Sequence, residues 1–189
     1  AVDHWDLDHP FERMLLDVAV APDPAEVPWI NPRLRPGERR QVMTGIPGKT
    51  GIVYTLDRAT GEFLWARPTM TQNVIASIDG ATGSVAINPD TLFTGPNQTR
   101  FVCPTTNGGK NWPAGAYSPR TKTMYFSLAN TCANSTSVAA VATPEMLYAI
   151  NNENVISPDA GGKVGTLRAL SVETGKARWR YDQRAGLLA

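Results

Sequence analysis

The sequence predicts an all-β fold assembled from a repeated antiparallel unit, in the manner of a propeller. Three observations predict it. Short runs of β-branched and aromatic residues recur between strong turn signals. One strand–turn–strand unit occurs twice with Trp at the same offset. Sixteen Gly and fifteen Pro in 189 residues interrupt the chain too often for long helices.

The first expected strand covers residues 14–20, a β-branched run that follows the polar opening. Residues 21–38 carry Pro22, Pro24, Pro28, Pro32 and Pro36, which cannot donate to a ladder, so an extended surface insertion is expected there. Further strands are expected at 40–44, 52–57, 63–67, 99–102, 123–128, 146–150, 165–172 and 177–181. Residues 130–143, rich in Ser, Thr, Asn and Ala, read as a loop.

The turns are the most specific local signal. Asp57-Arg58-Ala59-Thr60-Gly61 and Asp79-Gly80-Ala81-Thr82-Gly83 share one pattern, and Ser171-Val172-Glu173-Thr174-Gly175 nearly repeats it. An Asp or Ser at the first position can accept backbone N–H bonds, and the closing Gly supplies a positive φ. The stretch from Tyr54 to Trp65 matches that from Arg168 to Trp179 in its Leu, Thr, Gly and Trp. Strand, tight turn and a second strand ending in Trp therefore occur twice. A recurring β-unit with Gly and aromatic residues at fixed offsets points to a propeller, with a hairpin meander in a sandwich as the alternative.

Eighteen Lys and Arg against seventeen Asp and Glu leave a net charge of +1, which argues against a dedicated nucleic-acid binder. Hydrophobic residues at 42% suffice for a core and exclude a disordered chain. No apolar stretch approaches the roughly 20 residues that cross a bilayer. The opening Ala1-Val2-Asp3-His4-Trp5 has no basic and apolar leader, and the end follows closely on an expected strand. Both ends are expected to be cuts from something longer.

Few residues can carry chemistry. Cys103 and Cys132 are the only cysteines, too few for a structural zinc site, and they stand either as two buried thiols or as one disulfide. His4 and His9 flank acidic residues in Asp3-His4-Trp5-Asp6-Leu7-Asp8-His9. On a strand, Asp6 and Asp8 would share a face and suit a hard cation or base duty; the other reading is a solvated acidic turn. Gly108-Gly109-Lys110-Asn111-Trp112-Pro113 either lines a planar ligand, through close backbone approach, the Asn amide and the Trp face, or is a plain turn before a strand.

In order and spacing, these segments resemble the pyrroloquinoline quinone (PQQ)-dependent alcohol dehydrogenases, which are eight-bladed β-propellers. The resemblance runs from Trp5-Asp6-Leu7-Asp8 through the run from Gly48 to Arg58, then Cys103-Pro104, the loop Gly108 to Pro113, and Ala116-Tyr117-Ser118-Pro119, and reaches about Trp179. It implies that residues 1–189 form about two to three blades of one propeller domain, tied by tryptophan-docking repeats at Trp65 and Trp179. It also implies that Asp6 is the catalytic base and that Lys49 binds and polarises the quinone carbonyl. Asn111 and Trp112 would contact the cofactor. Asp6 and Asp8 would ligate the metal, Ca2+ or a lanthanide ion, because a trivalent ion gains more from the added carboxylate of Asp8. Cys103 and Cys132 match a pair that methanol dehydrogenases join as a disulfide, which fits a periplasmic enzyme.

The function so implied is oxidation of a primary alcohol or polyol, with a cytochrome c as electron acceptor. The rest of the propeller, in the same or a companion chain, would complete the pocket, and this stretch alone would be inactive. Lys49 is shared with the sugar-oxidising branch, which makes a sugar or polyol dehydrogenase the first alternative. A cofactor-free propeller scaffold is the second.

Overall fold

The computed structural model describes residues 3–143 and 146–186. Among these residues the chain forms fourteen strands, two short 3-10 turns and no α-helix. In chain order the strands are β1 (Met14–Val20), β2 (Trp29–Ile30), β3 (Glu38–Gly45), β4 (Ile52–Asp57), β5 (Phe63–Pro68), β6 (Ile75–Ile78), β7 (Val85–Ile87), β8 (Thr99–Val102), β9 (Ala116–Ser118), β10 (Thr123–Ala129), β11 (Thr131–Thr143), β12 (Met146–Ile156), β13 (Gly165–Ser171) and β14 (Ala177–Gln183).

Two larger sheets carry the architecture. The first is ordered β1-β3-β4-β5-β2 and the second β14-β13-β10-β9, and their pairings are antiparallel. The sequence repeat is a structural repeat down to its register. Trp65 on β5 stands opposite Thr55 on β4, and Trp179 on β14 stands opposite Ala169 on β13, with a register shift at the next residue in both copies. The turns agree as well. Gly61 N–H donates to Asp57 O, Gly83 N–H to Asp79 O and Gly175 N–H to Ser171 O, at 2.8, 2.7 and 2.9 Å. Each closing Gly has φ between 68° and 75°, where a β-carbon would be strained.

The main core lies between these sheets. Val18, Val20, Val42, Leu64 and Trp65 of the first pack with Met124, Phe126, Leu128 and Leu170 of the second. Trp65 is fully buried against the turn of the other sheet: a β-carbon on Gly175 would lie 3.2 Å from its ring. The Pro-containing segment 21–38 crosses this junction. Its backbone N–H groups at Ala21 and Asp23 donate to Glu173 O and Thr174 O, and Val27 and Asn31 are buried. Its two-residue strand β2 then adds to the far edge of β5.

One local expectation is corrected. Residues 130–143 do not form a loop: β11 pairs with β12 in a long hairpin and with β8 on its other edge. The small polar side chains that suggested a loop find partners across the strands. Ser135 Oγ donates to Asn152 Oδ1 at 2.6 Å, Ser137 Oγ to Gly95 O at 2.7 Å, and the hydroxyls of Thr136 and Thr99 bond to each other. Pairing with segments distant in sequence overrides the local composition. The short strand β2 escaped the sequence reading, and of the β6–β7 hairpin only the turn at 79–83 was legible, because runs of two to four residues carry too little periodicity.

Candidate functional site

Three loops meet to form the site. Residues 3–9 form no strand, yet they alternate: Trp5 and Leu7 are buried while Asp6 and Asp8 are exposed. Trp5 is the anchor, its indole Nε1 donating to Thr91 O at 3.0 Å while its ring packs with Leu7, Val74 and Val102. Asp3 holds the segment from below, accepting from the backbone N–H of Trp5 and of Leu7 at 3.0 Å each. Asp6 adopts a left-handed φ of 57°, sparsely populated for a residue with a β-carbon. Asp6 and Asp8 thus share the open side of the segment, as alternation predicts, although no strand forms there.

They converge on Lys49, in the β3–β4 loop. Its Nζ lies 2.7 Å from Asp6 Oδ2 and 2.9 Å from Asp8 Oδ1, with the lysine side chain mostly buried and the carboxylates open to solvent. The backbone ties the same three segments, since Lys49 N–H donates to Asp8 O and Gly109 N–H donates to Lys49 O, at 3.1 and 2.8 Å. Glycine is needed at both contacts: a β-carbon at Gly48 would lie 2.0 Å from the His9 ring, and one at Gly108 would lie 2.7 Å from Lys49 Cβ. Burial opposes the charge of Lys49, but the hydrogen bonds to Asp6 and Asp8 outweigh it and raise its pKa. The hydrogen bond from Lys49 holds the Asp8 carboxyl below its ordinary value. At neutral pH the pair Lys49 and Asp8 is therefore charged.

The loop 107–113 sits on the other side of Lys49. Asn111 Nδ2 donates to Asn107 O at 2.7 Å, its Oδ1 accepts from Trp112 N–H at 2.8 Å, and Trp112 is 73% exposed. Asn111, Trp112, Asn107, Pro113, Ala129 and Thr131 line a cavity of about 490 Å³. Asp6 and Lys49 are not among its walls, and the loop is tied to the charged cluster through the Gly109 N–H bond to Lys49 O. Cys103 and Cys132 form a buried disulfide between the segment after β8 and the start of β11.

The donor set answers part of what a metal and a quinone require. Two carboxylates within 3 Å of one ammonium can share a cation, as they do here with Lys49. A calcium-like ion takes six to eight oxygens, and among the described residues no group of three His, Cys, Asp or Glu side chains is placed to hold one. Asp6 and Asp8 thus fit one wall of a metal site. For a flat, anionic quinone the cationic Lys49, the Asn111 amide and the open Trp112 ring have suitable chemistry.

Sequence reasoning missed Lys110, Glu12 and Phe11. The Lys110 side chain is wholly buried, its Nζ 3.3 Å from Glu12 Oε1 and 4.8 Å from the centre of the Phe11 ring. The only available signal was a lysine between Gly109 and Asn111, and lysine is ordinarily a surface residue.

This arrangement of antiparallel sheets joined through a Trp–Gly contact is part of a β-propeller. A europium-containing methanol dehydrogenase superposes with a TM-score of 0.77 at 24% identity, over 97% of this chain and 30% of that one. The dehydrogenase subunit of the quinone alcohol dehydrogenase from Acetobacter aceti is 34% identical over 125 residues, covering 66% of this chain and 15% of the relative. Lupanine 17-hydroxylase [cytochrome c] from a Pseudomonas species is 32% identical over 144 residues, 75% of this chain and 20% of the relative. No family model matches the chain. The chain is a partial, PQQ alcohol dehydrogenase-like chain, and it spans 15–20% of the length of these two curated relatives.

Proposed function

We propose that the protein containing this chain oxidises a primary alcohol or polyol to the aldehyde or ketone. The observation that carries this reading is the ammonium of Lys49 held between Asp6 and Asp8 at 2.7 and 2.9 Å. Bound PQQ would supply the two-electron acceptor. Asp6 takes the proton of the substrate hydroxyl. Lys49 offers a fixed positive charge to the quinone oxygen, where negative charge develops. Asn111 and Trp112 orient the ring from the adjoining cavity. Asp6 and Asp8 contribute oxygens to a calcium or lanthanide ion, whose remaining ligands come from outside this chain.

The relatives support the wider setting. The lupanine hydroxylase is named with cytochrome c, and the methanol dehydrogenase neighbour contains europium, a lanthanide. A cytochrome c acceptor follows by that analogy, and a periplasmic location accords with the buried disulfide; among the described residues no helix is long and apolar enough to cross a membrane. Lysine at position 49 favours a second reading, a sugar or polyol dehydrogenase with the same cofactor. Two carboxylates alone leave a metal short of ligands, so the 189 residues by themselves are expected to be inactive.

The test is PQQ-dependent dye reduction by the full-length protein against a panel of alcohols and sugars, with calcium and lanthanum added separately. Activity with lanthanum alone supports Asp8 as a ligand, and activity with calcium alone removes that role. Turnover of sugars in place of alcohols selects the second reading. No turnover and no quinone absorbance after reconstitution would leave a propeller scaffold.

A further inference from the structure

A fully buried lysine that takes no part in the proposed reaction calls for a role. Lys110 has no exposed side-chain surface, although it lies in a polar loop in which Asn107 and Trp112 are exposed. Burying an ammonium is costly unless every donor is paired. Here each is. Lys110 Nζ donates to Asn111 O and Pro113 O, both at 2.8 Å, and faces Glu12 at 3.3 Å. The fourth side is the face of the Phe11 ring, 4.8 Å from its centre. The loop is wound around the ammonium through two of its own carbonyls.

Glu12 extends the grip. Its Oε1 accepts from Gly115 N–H at 2.6 Å, so the Lys110–Glu12 pair holds positions 111, 113 and 115 together. Phe11 also meets the Trp112 ring edge-on at 5.4 Å. Residues 11 and 12 directly follow the segment bearing Asp6 and Asp8, while 111 and 112 carry the amide and ring proposed to orient the quinone. The two halves of the site are thereby joined away from the reacting groups.

We infer that Lys110 and Glu12 are positioning residues that clamp Asn111 and Trp112 at a fixed distance from Asp6 and Lys49, and so set quinone affinity. This inference rests on the cofactor reading above. Lys110→Met keeps most of the unbranched stem of the side chain and removes the charge, leaving two carbonyls and a carboxylate without their shared donor. Glu12→Gln keeps the shape and the capacity to accept from Gly115, so its effect is smaller and it guards against a variant that fails to fold.

The experiment is a PQQ titration of the full-length protein and its variants, followed by absorbance, with turnover measured at saturating quinone. Amide hydrogen exchange over residues 111–115 is measured in parallel. Lys110→Met is expected to weaken quinone binding by about 10- to 100-fold and Glu12→Gln by less, with the double variant no worse than Lys110→Met alone. Exchange at 111–115 speeds up in each. Turnover at saturating quinone recovers to within about threefold, a split that a merely smaller folded fraction would not produce. Unchanged quinone affinity in variants of a wild type that binds quinone overturns the clamp alone, as does unchanged exchange at 111–115. A wild type that takes up no quinone overturns the cofactor reading and the clamp with it.

Discussion

Asp6 and Lys49 make a short ion pair at a place where it adds little to stability. The Asp6 side chain is 72% exposed, and the mostly buried Lys49 keeps Asp8 as a second partner, so this one pair contributes about 1 kcal/mol or less. The proposed function gives the charges a chemical role and with it a clear expectation for Asp6→Asn in the full-length protein. Stability should stay within about 1 kcal/mol of wild type. Turnover should fall by about 10²- to 10⁴-fold, the usual contribution of a general base, as read by dye reduction and a parallel urea unfolding curve. Asp57 is the opposite case. It is buried, which opposes ionisation, but the N–H groups of Thr60 and Ala59 and the Arg40 guanidinium outweigh burial and lower its pKa beneath 3.8. A carboxyl whose folded pKa is lowered stabilises the fold above its unfolded value, and this stabilisation is lost as pH falls through the folded value. Asp57→Asn should therefore flatten the loss of stability below about pH 4 relative to wild type, as measured by urea midpoints from pH 6 down to 3.

Strands and turns were legible to different degrees. The Asp-x-x-Thr-Gly turns could be read directly because their chemistry is local. The first side chain, the Thr hydroxyl and the closing Gly all act within five residues, as Asp79 Oδ1 does in accepting from Thr82 N–H at 2.8 Å. Strand β11 could not, because Ser135, Thr136 and Ser137 are satisfied only by segments up to 42 residues away. The disulfide anchors the beginning of this hairpin. Its cysteines stand 29 residues apart, and closing a loop of that length stabilises by about 3–4 kcal/mol on the chain-entropy model. Cys132→Ser is expected to cost about that amount, and a reductant should shift the wild-type denaturation midpoint towards the variant without moving the variant itself.

At the level of the whole molecule, the two copies of the repeat differ in what covers their tryptophans. Trp65 is fully buried against Gly175, while Trp179, its counterpart in register and bulge, is 45% exposed beside Tyr125. A fully buried Trp truncated to Ala costs about 3–5 kcal/mol, so Trp65→Ala should nearly abolish folding of this unit. Trp179→Ala should cost far less wherever nothing further packs on β14. Acrylamide quenching of the wild type compared with Trp179→Phe, which leaves the buried Trp65 in place, reads the same difference. In the 189-residue chain, Trp179 should quench strongly and Trp65 hardly at all. In a longer propeller with another sheet against β14, quenching of Trp179 should be lost.

The sequence by itself determined the all-β class, the repeated unit with its Trp and turn, and the segments that bear Asp6, Asp8, Lys49, Asn111 and Trp112. These signals are local, since periodicity, turn chemistry and motif spacing act over a dozen residues or fewer. Only the tertiary structure decided how those segments meet. The bend at Asp6, the glycines that let His9 and Lys49 approach, and the burial of Lys110 against Glu12, 98 residues earlier, arise from contacts between distant parts of the chain. A buried charge has no sequence signature. Its environment is made by packing, and packing is settled only when the whole fold closes around it.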